Sequence, residues 1–173
     1  LGISFPTLKK YLRYAQKIFL LDLVTPYFRN VRKEISQSPV AYFRDLGMRN
    51  YPLGLFGNIA SSSECGFLFQ NLVFQILTAG APTGSTRVHF WRTKDKAEVD
   101  FVVEKGKNLI PVEVKYKALK NIEIPRALIH FCEQYSPDEA YIVNLSLKKK
   151  KRVGKTDVIA IPYWELLRKP FSP

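Results

Sequence analysis

Two neighbouring segments of the chain carry charged side chains whose type and spacing suit a metal site. Segments 97–104 and 109–116 both alternate apolar and charged residues with a period of two, which is typical of strands with two unlike faces. Asp100 lies in the first segment, and Glu113 and Lys115 lie in the second. Carboxylates are hard oxygen ligands of the kind that Mg²⁺ prefers, so the two segments predict a candidate cation site.

A hairpin between the two segments would bring the carboxylates together. Residues 105–108 predict a four-residue turn that pairs Glu104 with Leu109. Counting back from that pair places Asp100 opposite Glu113. Facing carboxylates repel each other by about 1 kcal/mol in water and by up to about 4 kcal/mol at a partly buried site. A divalent cation between them would turn this repulsion into attraction.

The same register also allows a purely structural interpretation. It places Glu98 opposite Lys115, which would be an ordinary cross-strand ion pair worth well under ~1 kcal/mol. Mixed charges are common on solvated strand faces. The opposite face of the hairpin is predicted to be apolar and comprises Val99, Phe101, Val103, Ile110, Val112 and Val114. The residues alone therefore leave a metal site and a solvated charged face both open.

The composition of the whole chain narrows the class of partner. The 173 residues include 27 Lys and Arg against 15 Asp and Glu, a net charge of +12 that suits nucleic acid or an anionic membrane surface. No apolar run approaches the length of a membrane span, so none is predicted. Cys65 and Cys132 lie far apart, which indicates reduced thiols in a cytoplasmic protein. The start at Leu1, directly in a helical pattern, predicts a piece of a longer protein.

The order of helical and strand patterns predicts an α/β domain with helices over a mixed sheet. Ser4 suits the N-cap of a first helix that runs to about Gln16, and the small residues at 57–65 form the best domain boundary. The basic run 148–152 is predicted as a solvated turn between edge strands, with a nucleic-acid contact as the alternative. Further strands are predicted at 18–25, 39–44, 87–93, 140–145 and 157–161, and further helices at 66–79, 125–135 and 163–168.

Several segments together resemble a known family. In order and approximate spacing they are similar to the C-terminal module of prokaryotic AAA+ superfamily ATPases, whose core is similar to the PD-(D/E)XK nuclease fold. The segments that carry this resemblance are 42–50, 66–74, 90–93, 98–102 and 110–115. The resemblance implies a restriction-endonuclease-like mixed sheet flanked by helices over residues 57–173. Residues 1–56 would then be the end of a winged-helix-like segment, and ATP would bind only to an upstream ATPase domain of the same protein.

The resemblance also implies roles for individual residues. In the nuclease superfamily, the strand Asp and the Glu of Glu-x-Lys bind Mg²⁺, and the Lys orients the attacking water. Those roles would fall on Asp100, Glu113 and Lys115. Gln70 stands where the family usually has a Glu that joins the metal site. Its amide oxygen can coordinate a cation but supplies no negative charge, so a second metal site is expected to be weaker.

The implied function is binding of nucleic acid, with DNA favoured, and Mg²⁺-dependent hydrolysis of its phosphodiester bonds. The alternative is a non-catalytic module with a nuclease fold that binds DNA or a protein partner for the ATPase. The basic residues expected to guide the nucleic-acid backbone are Lys9, Arg13, Arg92, Lys94 and Lys96.

Overall fold

The chain folds around a six-stranded mixed sheet that is covered by helices, with a separate two-stranded sheet in its N-terminal part. The computed structural model describes residues 2–27, 38–56, 62–79, 86–93 and 97–168. The predicted α/β class, with a mixed sheet flanked by helices, is confirmed. No helix within these ranges combines the length and the apolar character that crossing a bilayer requires.

Five helices and eight strands lie in the described part of the chain. The helices are α1 (Phe5–Lys17), α2 (Leu46–Asn50), α3 (Ser62–Ala79), α4 (Arg126–Tyr135) and α5 (Tyr163–Arg168). The strands are β1 (Leu21–Val24), β2 (Val40–Phe43), β3 (Thr86–Arg92), β4 (Glu98–Lys105), β5 (Asn108–Val114), β6 (Glu139–Asn144), β7 (Lys149–Val153) and β8 (Thr156–Pro162).

The large sheet has the order β3-β4-β5-β6-β8-β7. Strands β3, β4 and β5 are antiparallel neighbours, whereas β6 runs parallel to both β5 and β8. A parallel pair needs a crossover, and α4 lies in the connection between β5 and β6. Strand β7 pairs antiparallel with β8 at the edge of the sheet.

Two apolar clusters hold the helices against the sheet. One cluster joins α3 to β4 and β5 through residues such as Phe69, Val73 and Phe101. The other cluster contains Leu128 and Phe131 of α4 and packs against the same strands from another side. Because the middle strands are covered in this way, a charged group within them needs a specific partner.

Local capping signals explain two of the helix starts. The Ser4 hydroxyl accepts a hydrogen bond from the Thr7 N–H at 3.4 Å, as expected for an N-cap. The Asp45 carboxylate accepts from the Met48 N–H at 3.0 Å, where α2 begins. The predicted start of the first helix is confirmed, and it ends within a residue of the predicted position.

Three segments differ from the prediction. The strand predicted at 18–25 begins only at Leu21, because the N–H groups of residues 18–20 donate to carbonyls at the end of α1. Helix α3 begins at Ser62, four residues before the predicted start, so part of the expected loop at 57–65 is helical. Glu64 in the first turn favours this earlier start, since a carboxylate interacts well with a helix N-terminus. The run 148–152 was expected to form a turn, and instead most of it forms the edge strand β7. Exposed lysines are common on edge strands, where they oppose pairing with another chain.

The N-terminal sheet is clasped to α3 by a buried amide. The Asn71 side chain accepts a hydrogen bond from the Phe43 N–H at 2.8 Å and donates one to the Phe43 carbonyl at 2.7 Å. Gln75, one turn further along α3, also donates to the Phe43 carbonyl. These hydrogen bonds hold β2 so that the centroid of the buried Tyr42 ring lies 5.3 Å from the ring centroid of Phe101 on β4.

Candidate functional site

The β4–β5 hairpin has the predicted register but a tighter turn. Glu104 pairs with Leu109 as expected, and Lys105 also pairs with Asn108. The turn therefore has two residues rather than four, and Gly106 occupies it with φ of +61°. A two-residue turn with a glycine at positive φ matches the twist of antiparallel strands. The predicted alignment holds for the five pairs from Phe101–Val112 to Lys105–Asn108, and the described pairing ends before the predicted pair of Asp100 with Glu113.

A β-bulge in β4 carries the key acidic residue. Against β3, His89 pairs with Val102 and Trp91 pairs with Val99, so two residues of β4 face a single residue of β3. Those two residues are Asp100 and Phe101. Bulges re-aim side chains and often lie beside functional sites. This one displaces the alternation of the strand at Asp100.

The bulge also corrects the predicted faces of the hairpin. Val99 was expected to share a face with Phe101 and Val103. Instead, Val99 packs in the α4 cluster with Trp91, whereas Phe101 and Val103 pack in the α3 cluster. An extra residue in a strand shifts every residue on one side of it to the other face.

The Asp100 carboxylate is fixed at both oxygens. Its Oδ2 accepts a hydrogen bond from the Val114 N–H at 2.7 Å, and its Oδ1 accepts one from the Gln70 amide at 2.9 Å. Burial, and after it the nearby charge of Glu113, raise the pKa of Asp100 to about 7, against the opposing effects of the Val114 N–H and Lys115. The two carboxylates are therefore close enough to disfavour each other's charge.

Glu113 is the most deeply buried charged residue of this group, with 6% of its surface exposed. Its Oε1 accepts a hydrogen bond from the Lys115 ammonium at 2.6 Å. Its Oε2 is buried without a hydrogen-bond partner among the residues that the structure describes. Burial raises the pKa of Glu113, and the Lys115 contact opposes that effect. An unsatisfied buried oxygen costs about 1 to 3 kcal/mol, and more when it is charged.

The predicted pair between Glu98 and Lys115 is wrong. Lys115, one residue beyond the end of β5, binds Glu113 of that strand, and the Lys115 side chain remains 43% exposed. Glu98 instead contacts Arg92 across the β3–β4 pair, with guanidinium-to-carboxylate distances of 2.7 and 2.8 Å. Strand twist and the bulge separate the ends of the hairpin from the partners that simple counting gives them.

Gln70 lies on α3 beside Asp100, as the helix motif predicts for a residue of the site. The amide nitrogen, rather than the oxygen, faces the Asp100 carboxylate. The structure therefore brings Gln70, Asp100, Glu113 and Lys115 together from three elements. Gln70 acts there as a hydrogen-bond donor to the carboxylate.

Tyr42 is a neighbour of the site that sequence reasoning did not single out. Burial and the charges of Asp100 and Glu98 raise its pKa well above the usual value for tyrosine. Its ring stacks on Phe74 with centroids 4.7 Å apart. The only signal in the sequence was that Tyr42 is the first residue of segment 42–50, which resembles the family. The position of the Tyr42 ring depends on the hydrogen bonds between Asn71 and the Phe43 backbone.

The predicted nucleic-acid contacts lie in different settings. Lys9 and Arg13 are exposed on α1. Arg92 is committed to Glu98, and its guanidinium lies 5.3 Å from the centre of the Phe90 ring. Lys94 and Lys96 lie outside the described residues. Glu98 engages the Nε and one terminal nitrogen of Arg92, and the other terminal nitrogen of this partly exposed guanidinium can still donate to a phosphate.

The donor set at the hairpin fits one Mg²⁺ ion. Asp100 and Glu113 supply two carboxylates, and the unpartnered buried Oε2 of Glu113 is suited to a cation ligand. Within the described ranges, no group of three or more His, Cys, Asp and Glu residues forms a richer metal cage. Mg²⁺ typically uses one or two carboxylates and completes its shell with water and substrate phosphate.

Comparison with known proteins gives two family matches. A model described as a domain of unknown function, DUF4143, matches residues 65–166. A second model with the same kind of description, DUF8612, matches residues 1–58. The hairpin site falls within the first match, and α1 falls within the second.

Similar proteins are longer than this chain. Uncharacterized proteins of Mycobacterium bovis and Mycobacterium tuberculosis are each 27% identical over 124 residues, which is 70% of this chain and 28% of theirs. The chain thus spans little more than a quarter of the length of these relatives. A solved half-complex of Thermococcus gammatolerans McrB AAA+ hexamers with bound McrC includes a chain that is 17% identical, with a TM-score of 0.43. That likeness covers 56% of this chain and 27% of the other.

Proposed function

The chain belongs to the DUF4143 family, and we propose that it is a nucleic-acid-binding domain that hydrolyses phosphodiester bonds with Mg²⁺ held by Asp100 and Glu113. The observation that carries this proposal is the buried Oε2 of Glu113, which has no hydrogen-bond partner among the described residues. The Asp100 carboxylate lies close enough to Glu113 that the two negative charges repel each other. A divalent cation relieves both penalties at once.

The surrounding fold supports a core of the PD-(D/E)XK type. An antiparallel hairpin, β4–β5, is followed by a crossover helix and the parallel strand β6. Asp100 comes from the first strand, Glu113 comes from the second with Lys115 directly after its end, and α3 contributes Gln70. This is the distribution of residues among elements that the sequence resemblance implies.

The residues of the hairpin site have distinct roles in the proposed reaction. Bound Mg²⁺ would polarise the scissile phosphate and lower the pKa of a water molecule. The Val114 N–H and the Gln70 amide hold the two Asp100 oxygens in place. Lys115 is anchored by Glu113 yet partly exposed, so its ammonium can donate to a phosphate oxygen and stabilise developing negative charge.

The proposal includes a larger molecular context. The sequence resemblance makes this chain the C-terminal module of an AAA+ type ATPase, with residues 1–56 as the end of a winged-helix-like segment. The curated relatives are more than three times as long as the matched part, which leaves room for an upstream ATPase domain. ATP would bind to that domain, and DNA is the favoured nucleic acid for this one.

A cleavage assay tests the proposal directly. The purified chain is incubated with supercoiled plasmid and with single-stranded DNA in Mg²⁺ or in EDTA. Asp100→Asn and Lys115→Ala should each lower the cleavage rate by roughly 100-fold or more, since each removes a group that acts on the reacting phosphate. Glu133→Gln removes an exposed carboxylate on α4 and serves as the matched control. Equal cleavage by all four proteins would trace the activity to a contaminant.

One specific observation favours a second candidate function. The Gln70 amide donates to Asp100 and so stabilises the carboxylate without a metal. In this alternative, the domain keeps the nuclease fold but binds DNA or a protein partner of the ATPase without cutting. DNA binding with no Mg²⁺-dependent cleavage, and no Mg²⁺ affinity in a calorimetric titration, would favour this alternative over hydrolysis.

A further inference from the structure

Helix α1 presents a row of positive charge with no acidic residue among its 13 residues. With 3.6 residues per turn, Lys10, Arg13 and Lys17 follow one another along one side, and Lys9 lies beside them. We define Lys9, Lys10, Arg13 and Lys17 as the basic row. Together with Pro6 and Tyr14, these residues line a groove of about 480 Å³.

The cations of the basic row are not neutralised within the described part of the chain. All four are exposed, and none forms an ion pair with a described carboxylate. Lys10 lies 5.8 Å from the centre of the Tyr14 ring, so an aromatic face stands among the charges. Unpaired cations around a concave surface attract a polyanion, and the attraction releases the counterions of that polyanion.

The lysines of the 148–152 run provide an internal contrast. Lys148 contacts Glu165 at 2.9 Å, and Lys150 contacts Asp157 at 2.8 Å. Lys149 donates to the Asn121 side chain at 3.4 Å. This run has a higher density of charge in the sequence, yet carboxylates of neighbouring elements neutralise part of it.

We propose that the basic row of α1 binds the phosphates of a nucleic-acid backbone. The inference rests on the proposed function, because it takes the polymer to be the one that the hairpin site would cut. Lys10 to Lys17 spans about 10 Å of helix axis. At 3.4 Å per residue of one DNA strand, that length matches about three successive phosphates.

The packing of α1 favours nucleic acid over a membrane surface. An interfacial helix buries its apolar side in lipid. In α1, Leu12 and Ala15 lie on the side opposite the basic row and are half-buried, and the helix packs on β1. Leu8 on that same side is exposed, as are Phe5 and Tyr11, so anionic vesicles form the competing arm of the test.

The test measures the salt dependence of duplex binding. A fluorescent 20-base-pair duplex is titrated with the chain in EDTA between 50 and 200 mM salt, on a Glu113→Gln background that weakens the proposed metal site. The logarithm of the association constant K falls linearly with the logarithm of the salt concentration. Changing all four residues of the basic row to Gln should make this slope less steep by about 3 to 4. Arg13→Gln alone should lower it by about 1. Gln keeps the helix propensity of Lys and Arg, and circular dichroism verifies folding.

The matched control carries the same change in net charge. Changing Lys148, Lys149, Lys150 and Lys151 to Gln should leave most of the slope in place. Equal losses in the two quadruple variants would show that net charge alone binds the duplex and would overturn the inference. Unchanged duplex binding in the α1 variant would overturn the inference too. So would an α1 variant that binds the duplex as before and loses binding only to vesicles of phosphatidylcholine and phosphatidylserine.

The same design separates this inference from the proposed hydrolysis. Binding is measured without metal and with a disabled hairpin site, so it does not depend on cleavage. If the wild-type chain binds the duplex through the basic row but does not cut DNA, the hydrolase proposal is wrong and the α1 site stands. Chain that cuts equally well with and without the basic row would keep the hydrolase and remove the α1 site.

Discussion

The acidic pair, Asp100 and Glu113, and the basic row of α1 are held in opposite ways. Two strands, a β-bulge, a backbone N–H and the Gln70 amide fix the acidic pair within a covered part of the sheet. The basic row lies on an exposed helix and has no described ion-pair partner. The interaction energy of a buried, rigid acidic pair depends on which ion it binds. The attraction of cations on a solvated helix for a polyanion depends on ionic strength.

In the proposed function, the two regions would have different tasks. The preorganised acidic pair would hold a cation and a reacting phosphate in a fixed geometry, as phosphodiester hydrolysis requires. A solvated basic row tolerates many placements of a polymer, which binding without sequence preference requires. A substitution in one region leaves the other region intact as a reference.

The largest expected effect follows from Glu113→Gln. The substitution keeps the size of the side chain and removes the negative charge on the otherwise unpartnered oxygen. Mg²⁺ or Mn²⁺ affinity, measured by isothermal titration calorimetry, should fall roughly 100-fold or more. Duplex binding in EDTA should be unchanged, because the basic row is intact. Full metal affinity in the variant would remove Glu113 from the metal site.

The acidic pair should also make the stability of the metal-free protein depend on pH. The pKa of Asp100 is about 7 in the folded chain against an ordinary value of 3.8. Between these values the folded state holds a proton that the unfolded state releases, so the free energy of unfolding falls as pH rises. Thermal unfolding in EDTA should therefore give a lower Tm at pH 8 than at pH 5.

Asp100→Asn tests the source of that pH dependence. The variant cannot ionise at this position, so its Tm should change less between pH 5 and pH 8 than the Tm of the wild type. Added Mg²⁺ should raise the wild-type Tm at pH 8, because the ion binds only the folded state. A wild-type Tm that rises with pH in EDTA would contradict the direction of the pKa shift.

Gln70→Glu should strengthen the metal site by a smaller factor. A third carboxylate beside Asp100 increases attraction for Mg²⁺, and we expect an affinity gain of roughly tenfold. Without metal, the same substitution replaces a hydrogen-bond donor by a like charge and should lower the Tm at pH 8. Gln70→Met, which removes the donor without adding charge, separates these two effects. Unchanged Mg²⁺ affinity in the Glu variant would place residue 70 outside the metal site.

Sequence patterns predicted the elements and the hairpin register well. Alternation in the two segments and the turn near Gly106 gave the pairing of Glu104 with Leu109. The bulge at Asp100 escaped prediction, because no glycine or proline marks it and its cause is pairing with β3. The contact between Gln70 and Asp100 joins residues 30 positions apart, so single-sequence reasoning reaches it only through a family resemblance.

The two basic regions show the same limit more plainly. In the sequence, 148–152 is the denser run, and α1 is interrupted by Tyr and Leu. Whether a lysine is neutralised depends on carboxylates that arrive from other elements, such as Glu165 on α5 and Asp157 on β8. Those partners are set by the order of strands in the sheet, which local patterns do not contain.

The smallest expected effects compare one lysine from each basic region. Lys17→Gln removes a cation without a described partner, so the slope of log K against log salt for duplex binding should fall by about 1. Lys148→Gln removes a cation that contacts Glu165, and the slope should change by much less. Loss of that exposed pair should alter the free energy of unfolding by only about 0 to 1 kcal/mol. Anisotropy titrations and urea unfolding check the two quantities separately. A larger slope change for Lys148→Gln than for Lys17→Gln would reverse the assignment and make the β7 edge the contact for the polyanion.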